Sequence, residues 1–364
     1  MKKTALLSLV LSALLLAGCG GTDISGKAPL ITEYTERSLF TTAAESVPET
    51  VSETAETVQT SETQATETLP PETTQTTAEA AKPPAETSET TETTSSAPAE
   101  KLPHEKYHCR SAALLRLDDN KRIYTYNAME KTAPASLTKL LTSCTALSVM
   151  DEDTVITVGG EINMTKPDSS LLGLKQGQKI KLGDLITGML MCSGNDAAYT
   201  VAVNAARTFA EDSGMSDYKA VEKFVEMMND YASSLGMENS HFTNPEGWDD
   251  PDQLTTLEDL LILAKRAYQY PTIRKAGETN TMQAAFVYGV GGTWKNTNYL
   301  LDPASPYYLK EAAGLKTGTT LNAGKCLIAV FKRGDKTYLA AEVGAQTDDA
   351  RFFIMHEIFK QFTE

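Results

Sequence analysis

The sequence predicts an α+β domain in which one antiparallel sheet, drawn from both ends of the folded segment, is flanked by helices and interrupted by an inserted helical subdomain. Three observations carry this. Strand-length runs lie near the two ends of residues 104–364, helix-period runs fill the middle, and the chain closes on an amphipathic segment, RFFIMHEIFKQF. That segment of 261 residues is long enough for one large core.

The N-terminus stands apart from the fold. MKKTALLSLVLSALLLAGC has the paired lysines, apolar run and small residues of a secretory signal, and its Leu16-Ala17-Gly18-Cys19 end resembles the bacterial lipoprotein cleavage box. The match implies a signal peptide over 1–18, lipidation at Cys19 and a chain anchored to a membrane without spanning it. Residues 19–103 follow, dominated by Thr, Glu, Ser, Ala and Pro with almost no aromatics. Such a stretch buries too little apolar surface to offset its ordering entropy, so it reads as a disordered stalk. As a flexible coil it would average roughly 50 Å end to end, and more with its prolines and like charges. Residues 20–103 hold 15 acids and 4 bases, so most of the net charge of −15 belongs to the tether and only −6 to residues 104–364. No basic footprint for nucleic acid is present.

Within the fold, runs at 110–117 and 122–126 flank the turn-like Asp118-Asp119-Asn120-Lys121 and predict a β-hairpin. From 136 to about 150, Leu137, Leu140, Leu141, Cys144 and Leu147 recur at helical spacing. Residues 182–208 predict helix broken around Ser193-Gly194-Asn195, and 221–235 and 255–269 predict two further helices. GVGG at 289–292 lies between short strand-like pieces, where a tight turn explains its glycines. CLIAVFKR and TYLAAEVG, separated by Gly334-Asp335, predict a second hairpin. Cys109, Cys144, Cys192 and Cys326 sit in apolar runs without zinc-site spacing, which predicts free buried thiols.

The stretch ASLTK raises the chemical question. Ser136 opens a helical run behind Ala133-Pro134-Ala135, where free amide N–H groups and the helix dipole stabilise developing negative charge. None of the four histidines, His104, His108, His241 and His356, lies in a nucleophile-elbow context, and there is no G-x-S-x-G. Lys139, three residues on, shares the helix face of Ser136, and a lysine desolvated near another cation can act as a base. S-x-x-K alone is common, and Ser216…Lys219 is a second instance, so Ser136 by itself reads first as a helix N-cap. Two further motifs change the weighting: Ser193-Gly194-Asn195 after an apolar run, and Lys316-Thr317-Gly318-Thr319 just before a strand. Their order and separation match the S-x-x-K, S-x-N and K-T-G constellation.

With PASLTK, SGNDAA, LGMENSHFTNPEGW, NTNYLL, GLKTGTT and AGKCL in place over about 107–362, the sequence resembles the serine D-alanyl-D-alanine carboxypeptidases, the low-molecular-mass penicillin-binding proteins. The resemblance implies a β-lactamase/transpeptidase-like fold and a catalytic domain over 104–364 on the outer face of the bacterial cytoplasmic membrane, acting on peptidoglycan stem peptides and acylated by β-lactams. It implies Ser136 as nucleophile, Lys139 as base, Ser193 as proton relay and Asn195 as the group orienting lysine and substrate. It gives Lys316, Thr317, Gly318 and Thr319 to the substrate carboxylate and the oxyanion hole, with Arg351 assisting. It implies no metal and no cofactor.

This chain departs from the family at the turn usually reading N-P-x-G-L, here Asn244-Pro245-Glu246-Gly247-Trp248, and in DDPDQLTTLED, which lacks the usual glycine-histidine. Both are expected to lie away from the three motifs and to affect loop shape and substrate range. Cys192, beside Ser193, reads as a small buried side chain, with a redox role as the alternative. Other functions on the same fold are a D,D-endopeptidase, a β-lactamase, disfavoured because no E-x-x-L-N lies between Ser193 and Lys316, and a non-catalytic wall-binding or drug-sensing lipoprotein.

Overall fold

The computed structural model describes residues 101–363; the expected signal peptide, Cys19 and nearly all of the expected stalk lie outside the described residues. Helix α1 (Pro103–Lys106) leads into the hairpin β1 (Ser111–Arg116) and β2 (Lys121–Tyr126), then β3 (Lys131–Thr132), a 3-10 turn (Ala135–Leu137) and α2 (Thr138–Val149). Strands β4 (Val155–Thr157) and β5 (Lys179–Lys181) pair, and α3 (Leu182–Cys192), α4 (Asn195–Phe209) and α5 (Asp217–Ser234) follow. The short β6 (Thr255–Thr256) pairs with β3 and opens into α6 (Leu257–Gln269), α7 (Pro271–Glu278) and the hairpin β7 (Thr281–Gln283) and β8 (Thr293–Lys295). Strands β9 (Ala312–Thr320), β10 (Gly324–Arg333) and β11 (Lys336–Ala345) precede the closing helix α8 (Asp348–Phe362).

The main sheet is antiparallel in the order β2-β1-β11-β10-β9, so the first and last strands of the chain are joined at its centre, from Ser111 opposite Val343 to Arg116 opposite Tyr338. Side chains alternate across it with period two. Ala113, Ile328, Val330, Leu339, Ala341 and Val343 face the helical subdomain, while Leu114, Leu327, Ala329, Phe331 and Ala340 face Phe352, Met355, Ile358 and Phe359 of α8. Because both faces are covered, β10 and β11 read as nearly continuous apolar runs.

Helix α2 is the axis of the helical part. Residues 138–146 are all buried, enclosed by α4, α5 and α6. A helix hidden on every side carries its polar residues inward with the rest, including its one lysine.

Several expectations need correction. The K-T-G residues precede the expected strand, now β10, but also lie inside a strand of their own, β9, where Gly314 and Gly318 break the alternation that would have marked it. The helix expected from 221 starts at Asp217, and α7, opening on a proline, was not anticipated. The four core cysteines are free, but only Cys144 and Cys326 are buried. Cys109 precedes β1 and Cys192 ends α3, and at these element ends each is half-exposed. Ser216 precedes α5 with Lys219 exposed, so the second S-x-x-K is incidental. Among the described residues no helix is long and apolar enough to cross a membrane.

Candidate active site

Ala135 adopts φ 48°, the left-handed region that side chains with a Cβ seldom enter, immediately before Ser136. Ser136 is the one half-exposed residue in a run, 132–146, that is otherwise buried. Lys139 Nζ donates to Ser136 Oγ at 2.9 Å, to Asn195 Oδ1 at 2.8 Å and to the Glu246 carbonyl at 2.5 Å. Burial pushes this ammonium down to about 7, against the opposing pull of Glu246 and Asp196. A neutral amine has two donors and one lone pair. Two of its three neighbours are carbonyl oxygens that can only accept, so the lone pair is left for Ser136, the one neighbour able to donate a proton.

Asn195 opens α4 just beyond the break where α3 ends at Ser193 in the left-handed conformation, φ 60°. Its main-chain N–H donates to Ser170 O at 2.8 Å and its amide Nδ2 to Ser169 Oγ at 3.1 Å, which aims Oδ1 at Lys139. Ser193 is nearly buried, and among the described residues its hydroxyl has no hydrogen-bond partner.

Strand β9 closes the opposite wall. Gly318 lies so near the Ser136 turn that a Cβ there would stand 3.1 Å from Ala135 Cβ and 3.4 Å from Ser136 N. Lys316 is buried, and its ammonium is held well below the usual lysine range first by burial and then by Lys139 and Arg351. Thr317 Oγ1 meets Thr297 Oγ1 at 2.6 Å, and Thr319 is exposed. Arg351, in the first turn of α8, donates to Gly318 O and Thr319 Oγ1 at 3.2 Å each and pairs with Asp348 at 2.5 Å. The structure thus brings Ser136, Lys139, Asn195, Lys316, Thr317, Gly318, Thr319 and Arg351 together, with Ser193 at the α3–α4 break.

The expectation that residues 244–248 lie away from the motifs is overturned: this turn is the floor of the site. Asn244 Oδ1 accepts from the N–H of Gly247 at 2.7 Å and of Trp248 at 3.0 Å, and Pro245 O accepts from Thr142 Oγ1 of α2 at 2.6 Å. Gly247, at φ 89°, packs so closely that a Cβ would fall 1.9 Å from Ala135 O. Glu246 was missed as a site residue; the N-P-x-G turn pattern was the signal available, but it does not say what the turn touches. Asp196 was missed as well. Its carboxylate accepts N–H bonds from Leu172, Gly173, Leu174 and Ala197, pinning the strap beside Asn195. Cys192 donates weakly to Lys295 O at 3.8 Å, and burial raises its thiol above the ordinary range, which disfavours the reactive thiolate.

Residues 92–347 match the D-alanyl-D-alanine carboxypeptidase family. The chain is similar to the D-alanyl-D-alanine carboxypeptidase DacF of Bacillus subtilis, 29% identical over 262 residues that cover 69% of this chain and 60% of that protein. It is also similar to DacC of Escherichia coli, 31% identical over 258 residues, 67% of this chain and 58% of the relative. It therefore spans about three fifths of the length of these relatives. Among solved structures, the Streptomyces K15 DD-transpeptidase superposes with a TM-score of 0.63 at 27% identity, over 70% of this chain and 96% of that one. The fold is accordingly the β-lactamase/transpeptidase-like one. With the family match running through all three motifs, the chain belongs to the D-alanyl-D-alanine carboxypeptidase family.

Proposed function

We propose that the chain is a serine D-alanyl-D-alanine carboxypeptidase that removes the terminal D-alanine from peptidoglycan stem peptides through an acyl-enzyme on Ser136. The observation that carries this reading is Lys139: buried, depressed in basicity, and in contact with Ser136 Oγ while two carbonyls take its other hydrogens. Neutral Lys139 takes the Ser136 proton as Oγ attacks the carbonyl of the D-Ala–D-Ala bond. The resulting oxyanion is held by the backbone N–H groups of Ser136 and Thr319. When the intermediate collapses, the C–N bond breaks and the proton travels by way of the Ser193 hydroxyl to the departing amine, releasing D-alanine. Lys139 then withdraws a proton from water, which attacks the ester and restores Ser136. Asn195 fixes the lysine and the substrate amide. Lys316, Thr317, Thr319 and Arg351 receive the terminal carboxylate. A β-lactam offers its strained amide carbonyl to Ser136 in place of the peptide bond and acylates it.

The test is release of D-alanine from a blocked peptide ending in Lys–D-Ala–D-Ala by the full-length protein in detergent. The wild type is expected to release it and Ser136→Ala to release none; equal release by both would remove Ser136 from the reaction. Cleavage of a cross-linked peptide dimer without D-alanine release would make the protein an endopeptidase instead.

The same reading places the chain on the outer face of the bacterial cytoplasmic membrane, held by lipid on Cys19, supported by the Leu16-Ala17-Gly18-Cys19 box behind an apolar run. Labelled fatty acid should enter the wild-type protein in cells and not Cys19→Ser; label in both would place the anchor elsewhere.

A further inference from the structure

We infer that Glu246 is a positioning residue for this reaction: its buried carboxyl is the charge partner of Lys139 and sets the pH at which that lysine becomes a base. The inference rests on Ser136 and Lys139 acting as proposed above. Glu246 is 1% exposed. Its Oε1 accepts from the Tyr199 hydroxyl at 3.1 Å, and its Oε2 is buried without a partner. Its own carbonyl oxygen is the 2.5 Å acceptor for Lys139 Nζ. The neighbouring Gly247 is wedged against Ala135, so the main chain cannot carry the carboxyl away. Tyr199 stands one turn after Asn195 on α4; a single helix thus supplies both an acceptor for the lysine and a donor for the glutamate.

A half-satisfied buried carboxyl is costly, and an apolar side chain would fill the same space without that cost. What glutamate adds is charge. The groups around the pair are Lys316 from β9 with Arg351 of α8 behind it, Lys166 from the segment before β5, and Asp196 from α4. Asp196 is already engaged by four main-chain N–H groups, and Arg351 by Asp348. Glu246 alone among these acids has a vacant oxygen. Burial raises its proton affinity, and Lys139 and the Tyr199 hydroxyl pull it back. While ionised, Glu246 favours the charged lysine; without it, burial and Lys316 would depress Lys139 further.

The experiment measures the rate of Ser136 acylation by benzylpenicillin against pH, on either side of neutrality, for the full-length wild type, Glu246→Gln and Tyr199→Phe. In Glu246→Gln the acid limb should move to lower pH by about one unit. Tyr199→Phe should move it the same way by less, because losing the hydroxyl favours the neutral carboxyl; it also keeps the test alive if Glu246→Gln fails to fold. A lower rate with an unmoved midpoint in both variants would make Glu246 a packing residue and overturn the inference. Acylation with the expected shifts, but no D-alanine release by the wild type, would uphold the inference and refute the carboxypeptidase reading alone. Failure of penicillin to acylate the wild type would overturn both.

Discussion

An ammonium group with no exposed surface loses its hydration, and folded proteins tolerate this only where neighbours compensate or the group gives up its proton. Lys139 does some of each. It keeps three oxygen partners, and its proton affinity falls to about 7. The sign of the pH dependence follows: the neutral amine gains population as pH rises through that value, so acylation of Ser136 should climb over the same range. Lys139→Arg carries a charge that no ordinary pH removes. It should therefore lower the benzylpenicillin acylation rate by at least about 100-fold at every pH, the usual worth of a positioned base. A rate near the wild type would exclude the lysine as the base. Ser136 and Lys139 were legible because a short helical spacing carries geometry, and Asn195 because the order of the three motifs resembles a known constellation. Glu246 was not: one acid in a loop has no period, and only tertiary packing tells that it is buried.

The elements differ in the same way. The two hairpins and the long helices were legible because each repeats its period several times. Strand β9 was not legible because two glycines stand where side chains would have shown alternation, and one of them is there to let the strand approach Ser136. The turn at 244–248 is the least legible and among the most constrained. In Gly247→Ala, the added Cβ would overlap Ala135 O in a backbone conformation that already disfavours it. We expect a loss of about 2–4 kcal/mol from overpacking and positive φ together. The displaced turn would also withdraw the Glu246 carbonyl from Lys139. Urea denaturation with penicillin acylation on the same samples would check this; unchanged acylation would show that the turn does not hold the lysine.

For the molecule as a whole, the architecture was readable from where strand-like runs fall, near both ends with helices between. Their order in the sheet was not, since alternation shows which face a residue takes and not which strand lies beside it. That order has a consequence for how the protein comes into being. Strand β1 needs β2 on one edge and β11 on the other, and β11 is made only after the whole of residues 127–335. A chain emerging N-terminus first, from a ribosome or a membrane pore, holds a lone hairpin with an open edge throughout residues 127–335. An isolated two-stranded hairpin is marginal in water, and contacts this distant in sequence form slowly. The sheet cannot close until residues 336–345 appear, so the topology itself keeps the sheet of the nascent chain open, and its strands threadable, until those residues are made.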